Sequence, residues 1–207
     1  MLQRIYKLLC KLYELEAEFK IEDFLIKQAP EILISGTKKI SHRTPSREAV
    51  FVHQLNGAVE IGLFVHPDIL QRLKTKHYSN DDLACAIEGV SHFIYLVECI
   101  KSARQCSQLE LELQGEIDKF VLLHLFAANQ QTLSPKLFKE LFESFAFDDQ
   151  LTEDELERYE TAHHFAVKYC QRLRDSCFFP LRVSKLIANI RPFFRQNLQG
   201  KLNQVIP

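Results

Sequence analysis

Residues 79–103 constrain the fold more than any other stretch, because they combine a helical period, an apolar circumference and one narrow polar stripe. At about 100° per residue, Glu88, Ser91, His92, Tyr95 and Cys99 share a face, while Ile87, Val90, Phe93, Ile94, Leu96, Val97 and Ile100 cover the others. So apolar a helix is expected to be buried. A buried carboxylate or imidazole without a partner is costly, so the stripe either meets polar groups across a seam between helices or lines a pocket. The next helix, over residues 108–128, is its nearest partner in the chain. There Leu109, Leu113, Ile117, Phe120, Val121 and His124 form the inward arc, with Glu116 at its edge and Glu112 and Asp118 on the same helix.

Around this pair the sequence predicts a mainly helical α+β fold in one domain, residues 1–207. Residues 1–36 supply an amphipathic helix through Leu2, Ile5, Tyr6, Leu9, Leu12 and Tyr13, a short helix over 21–29 that stops at Pro30, and a short strand at 31–34. A polar, basic connection follows over 37–47. Residues 49–66 read as a β-hairpin, with Asn56-Gly57 supplying the positive φ angles of a tight turn and Val59, Ile61, Leu63 and Val65 alternating onto one face. Two or three strands cannot cover both of their faces, so the hairpin packs against the central helix pair, residues 79–128. A short helix over 68–74 precedes that pair, and Ser79-Asn-Asp-Asp82 starts it. Residues 134–207 are helical: Ser134-Pro135 opens a helix to about residue 146, Thr152 and Glu155 form a capping box, and a last helix begins near Pro180. Pro192 is expected to kink or divide that helix, and Gly200 to end it. The stripe of Phe138, Leu141, Phe142 and Phe145 reads as core.

Composition narrows the functional classes. The first residues carry Arg4, Lys7, Lys11 and Glu14 at helical intervals, so no apolar signal core is formed, and no apolar run reaches the ~18 residues of a membrane span. A cytoplasmic protein without membrane insertion is expected. Six cysteines without CxxC spacing then read as reduced, packed thiols. The net charge of −1 hides an asymmetry: residues 107–160 hold 13 acidic and 4 basic side chains, residues 161–207 hold 8 basic and 1 acidic. Intramolecular attraction is the simplest consequence. Arg191 and Arg195, among the C-terminal basic residues, are the candidates for contact with an acidic partner; nucleic acid is disfavoured because the neutralising half lies in the same chain. There is no GxSxG elbow and no glycine-rich phosphate loop.

The chemistry-bearing constellation is Glu88 and His92, neighbours at i and i+4, with Glu116 or Glu112 supplied by the next helix. One imidazole with carboxylates suits zinc, iron or manganese, and an open position on such an ion activates water. Glu160 and His163 at i and i+3, with His164 beside them, offer further ligands. Two ExxH elements would be needed for a diiron carboxylate bundle, and the chain has one.

The order of elements over residues 1–128, an N-terminal helix, a hairpin, a helix with Glu88 and His92, then Glu112-Leu-Gln-Gly-Glu116-Ile-Asp118-Lys-Phe120, resembles compact zincin-like metallopeptidases of the gluzincin type. That resemblance implies Glu88 as general base and Glu116 as the downstream ligand. The chain departs from the family's HExxH pattern, with Ile87 and Ser91 where the two histidines belong and His92 one residue late, about 100° around the helix. The resemblance is therefore to a degenerate, non-catalytic relative.

The same residues also make sense without a metal, as a polar seam in which Glu88, Ser91, His92 and Tyr95 bond to one another and Glu116 pairs with Lys119 or a C-terminal arginine. Two functional expectations follow. The leading one is a non-enzymatic, regulatory protein with a protein partner, bound through a helical groove or through Tyr95, Arg191 and Arg195. The alternative is a metal-dependent hydrolase in which Glu88 is base or ligand and His92, Glu116, His163 and His164 are ligands.

Overall fold

The structure is a computed structural model and describes residues 1–27, 47–55, 58–129, 136–143 and 151–205. Within them the chain is mainly helical α+β: α1 (Leu2–Tyr13), a 3₁₀ turn (Ile21–Phe24), β1 (Glu48–Leu55), β2 (Ala58–Val65), α2 (Pro67–Thr75), α3 (Asn80–Lys101), α4 (Gln108–Asn129), α5 (Lys136–Phe142), α6 (Glu153–Cys177), α7 (Val183–Arg195) and α8 (Leu198–Val205). The expected strand at 31–34 and the Asn56-Gly57 turn lie outside the described residues. The strands themselves pair antiparallel, with Glu48 opposite Val65 and Leu55 opposite Ala58.

The polar-striped helix is the centre of the molecule. α3 packs on α1, on both strands and, over its length, on α4, which in turn packs on α6. Its start is fixed by a full capping box between Ser79 and Asp82, and Asp82 also takes a two-pronged ion pair from Arg72 of α2, at 2.6 and 2.9 Å. By length and composition α3 could cross a membrane, but 72% of its apolar window is buried inside the fold. Ile87, Val90 and Phe93 are inaccessible to solvent and belong to one buried cluster with Ile5, Leu9, Leu63, Leu113 and Ile117, which are equally inaccessible. Burying such side chains stabilises by about 1.5–3 kcal/mol each, which is the main reason these helices hold together.

Several boundaries differ from expectation, each for a local reason. The second helix is only one 3₁₀ turn, after which the chain extends so that the Ile26 amide bonds the Leu63 carbonyl at 3.0 Å on the edge of β2. The alternation along β2 fades towards its end: Leu63, Phe64 and Val65 are all buried because α3 covers one face there, while Val59 and Val52 near the turn are 40% and 43% exposed. The last helical region starts at Val183, three residues beyond Pro180, and runs through Pro192. That proline forfeits one i→i−4 bond, a loss a helix ending three residues later tolerates. The division comes instead at Gln196, and Gly200 lies inside α8, where a Cβ would collide with the Gln196 side chain.

Candidate metal centre

The stripe on α3 meets α4 residue by residue. Glu88 Oε1 pairs with Lys119 at 3.1 Å, Ser91 donates to Asp118 at 2.5 Å, His92 faces Glu112, Tyr95 donates to Glu110 at 2.7 Å, and Cys99 receives Arg104 from the turn. The stripe is thus a polar seam along the helix pair. It contains two distinct clusters.

The first is sealed. Asp118 accepts from Ser91, Tyr13 and Gln114, and Gln114 accepts from Lys201 at 2.6 Å, with none of the five more than 1% exposed. Burial pushes the Asp118 carboxyl up to about 6 despite its three donors, and burial lowers the Lys201 ammonium to about 7 despite the nearby acids. Lys201 also lies 4.4 Å from the Phe193 ring centroid and 4.7 Å from that of Tyr95. Such a network satisfies the polar groups that the packing of these helices buries.

The second cluster carries the candidate chemistry. Ligand atoms of Glu88, His92 and Glu112 all lie within 4.8 Å of one another. His92, 7% exposed, has Nδ1 3.7 Å from Glu48 Oε2 and Nε2 3.8 Å from Glu112 Oε2, distances too long for hydrogen bonds. Among the described residues, buried His92 Nε2, Glu48 Oε2 and Arg158 Nε have no hydrogen-bond partner, and Arg158 Nε stands 4.0 Å from Glu112 Oε1. Two glycines make the room. A Cβ on Gly115 would lie 2.8 Å from His92 Nε2, and one on Gly89 would lie 3.0 Å from Glu48 Oε2. Glycine inside a helix costs about 1 kcal/mol relative to alanine, so both positions give up helix stability for space beside a polar group.

The electrostatics follow from this crowding. Burial acts against the His92 imidazolium, but Glu48, Glu112 and Glu88 outweigh it and raise His92 to about 10. Burial raises Glu112 to about 7, helped by Glu88 and Glu48 and opposed by His92. Glu88 goes the other way: burial would raise it, yet Lys119 and His92 hold it below the ordinary carboxylate range. Tyr159 is raised mainly by burial and further by the same three carboxylates.

The residue types fit a divalent transition ion. In a tetrahedral site with bonds of 2.0–2.2 Å, ligand atoms sit about 3.4 Å apart, so these side chains must converge by roughly 1 Å. Glu48 stands 3.7 Å from Nδ1, on the side where the carboxylate of a carboxylate–histidine–metal arrangement would bond, and Nε2 is open.

The remaining predicted site residues lie elsewhere. Glu116 is held by Lys119 at 2.8 Å and does not join Glu88, His92 and Glu112. His163 packs its ring 5.6 Å from that of Phe142, and His164 is exposed beside Phe165. Tyr95 is fully buried, its hydroxyl engaged with Glu110 and the Gln196 carbonyl. Arg191 and Arg195 bond to the chain itself: Arg191 donates to the Leu12 and Lys11 carbonyls and to Glu14, and Arg195 to the Tyr13 carbonyl, satisfying the open C-terminus of α1. Two members of the cluster were missed, Glu48 and Arg158; Lys119 was expected as a partner of Glu116, which it is, but not as the partner of Glu88. Gly89 and Gly115, one in each long apolar helix, were the signal that something polar approaches there.

Comparison with protein-family models, with curated proteins and with solved structures gives no match for this chain.

Proposed function

We propose that this chain is a metal-binding protein whose centre is Glu88, His92 and Glu112, and that it acts as a metal-dependent hydrolase. The observation that carries the reading is His92: its Nε2 is buried, without a hydrogen bond, and aimed at two carboxylates across the space left by Gly115. In this reading Glu48, 3.7 Å from Nδ1, closes to hydrogen-bond distance when the ion binds and so fixes the tautomer, leaving Nε2 to ligate. Lys119 neutralises Glu88 and restrains it, and Arg158, beside Glu112, offers a positive charge to an anionic substrate group. A zinc, manganese or ferrous ion bound there supplies Lewis acidity and activates water.

The test is elemental analysis of the full chain, purified without added metal or chelator and again after reconstitution with zinc, iron and manganese. Close to one ion per chain is expected, lost in a folded His92→Ala/Glu112→Gln double variant. A parent that stays empty after reconstitution rejects the centre. A loaded parent that cleaves no ester, phosphoester or peptide in a fluorogenic panel rejects the hydrolase and leaves a structural ion.

One observation favours a second reading, a non-enzymatic interaction protein. Phe179, Leu181 and Val183, at the α6–α7 connection, are 41%, 37% and 46% exposed and close in sequence. Neighbouring apolar side chains left in water suit a protein partner. Changing all three to serine should leave the fold and metal content intact while abolishing complex formation.

A further inference from the structure

The start of α3 and the end of α4 enclose a cleft remote from the metal centre. The two helices run antiparallel in the register that pairs Glu88 with Lys119 and Tyr95 with Glu110, and the same register brings Leu83 and Leu123 to one side of the cleft. Leu123 lies roughly 16 Å along α4 from Glu112 at the helical rise. The first turn of α1 and helix α5 close the other sides, leaving a volume of about 430 Å³. Small-molecule sites typically span about 300–1,000 Å³ and combine an apolar lining with a few polar groups.

The lining has that composition. Leu83, Leu123 and Leu137 are buried, and Phe126 is half-buried. Two opposite charges, both exposed, come from different helices: Arg4 of α1 and Glu140 of α5. They do not pair with each other, and among the described residues neither has an oppositely charged side chain at ion-pair distance. Arg4 instead holds its guanidinium 5.3 Å from the Phe126 ring centroid. Stacking on a ring leaves the in-plane N–H groups of a guanidinium free to donate to a carboxylate. The acids at the start of α3 are already taken, Asp81 by Arg47 and Asp82 by Arg72. An anion alone would meet Glu140 in this cleft, and a cation alone would meet Arg4. A molecule carrying both charges beside an apolar body answers the whole lining.

We propose that this cleft binds a free apolar α-amino acid. Its carboxylate is held by Arg4, its ammonium by Glu140, and its side chain by Leu83, Leu123, Phe126 and Leu137. The Tyr78 hydroxyl and the Asn80 carboxamide, uncommitted among the described residues, are the neutral groups left to orient it. The site needs no metal and stands independently of the hydrolase reading.

The test is calorimetric titration of the full chain with L-phenylalanine and L-leucine, using tag-free protein because Met1 also lines the cleft. Saturable binding of one molecule per chain by at least one of them is expected. Three probes lacking one element each should bind at least ~10-fold more weakly: 3-phenylpropanoate without the ammonium, 2-phenylethylamine without the carboxylate, and L-alanine without the large side chain. Arg4→Gln and Glu140→Gln, both at exposed positions that leave the core intact, should each weaken L-phenylalanine or L-leucine binding by a similar factor. No heat from either amino acid at 10 mM (~10 mM being far above a specific site's range) overturns the proposal. So does 3-phenylpropanoate or 2-phenylethylamine binding as well as L-phenylalanine, or undiminished binding by both folded variants. In the His92→Ala/Glu112→Gln double variant the amino acid should bind as in the parent, and loss of binding there would move the ligand to the metal centre and reject the cleft.

Discussion

Gly115 of α4 faces His92 of α3 so closely that a Cβ there would sit 2.8 Å from the imidazole Nε2. Gly115→Ala gains up to about 1 kcal/mol of helix propensity but must displace a buried ring that α3, Glu48 and Glu112 all surround. Overpacking of this sort costs about 1–3 kcal/mol, so a net loss of stability is expected. The same displacement turns Nε2 from Glu88 and Glu112, and zinc affinity should fall by about 10-fold or more, in the range seen for disturbed supporting residues. Thermal melts with and without zinc check both effects; a more stable variant with unchanged zinc affinity would contradict the site geometry.

Lys201 sets a pH dependence. Its ammonium is lowered from 10.5 to about 7, so between those values the unfolded chain binds a proton that the folded chain does not. The Lys201 contribution to stability therefore rises with pH across roughly 7–10, by up to about 1.4 kcal/mol per unit. Asp118 contributes with the opposite slope at lower pH: raised from 3.8 to about 6, it makes the folded chain bind the extra proton, so its contribution falls as pH rises through that interval. His92, raised from 6.5 to about 10, has the opposite slope over much of this interval, so urea titrations at a series of pH values should show the Lys201 contribution as the difference between the parent and Lys201→Met, whose stability gains less as pH rises from 7 to 10.

Tyr13 joins α1 to the seam, donating to Asp118 and accepting from Gln114 at 3.1 Å. Tyr13→Phe keeps the ring stacked on Phe194, 4.1 Å between centroids, and removes only the hydroxyl. Asp118 keeps Ser91 and Gln114, so the expected cost is about 1–3 kcal/mol, the range for taking one partner from a buried charged group. Chemical denaturation measures it. A change under about 0.5 kcal/mol would mean that the hydroxyl does not hold the carboxylate as described.

Arg191 and Arg195 are expected to matter for α1 alone. Removing both takes the arginine donors from the Leu12 and Tyr13 carbonyls and leaves the Lys11 carbonyl with the Glu14 amide alone. Each hydrogen bond contributes about 0.5–1.5 kcal/mol, so Arg191→Ala/Arg195→Ala should loosen the end of α1 while metal content stays unchanged. Hydrogen exchange would show faster amides in α1; an unaltered pattern there would restore these arginines as candidates for contact with a partner.

The helix pair and its polar stripe were legible because they depend on local periodicity. Glu88, Ser91, His92, Tyr95 and Cys99 do face α4, and the capping boxes at Ser79 and Thr152 start α3 and α6 as their residue types require. The choice between Glu112 and Glu116 was not legible. Both lie on the same helix one turn apart, and Lys119, three residues beyond Glu116 and reaching to Glu88, decides which carboxylate is left to face His92. Glu48, at the first position of β1, belongs to the site only because Gly89 lets the hairpin approach α3.

The sequence by itself determined the mainly helical α+β class, the pairing of α3 with α4, and the positions at which polar groups would have to be buried, because each is a consequence of side-chain period and burial cost over neighbouring residues. Tertiary structure alone decided which charges meet: Glu48 from the hairpin, Arg158 from α6 and Lys201 from α8 come from distant parts of the chain, and nothing in a local pattern encodes their approach. It also decided the role of the C-terminal arginines, which the open carbonyls of α1 hold within the fold. Periodicity fixes which face of an element turns inward, whereas the pairing across that face depends on how far apart the packed backbones come to rest, and here glycines on two helices set that distance.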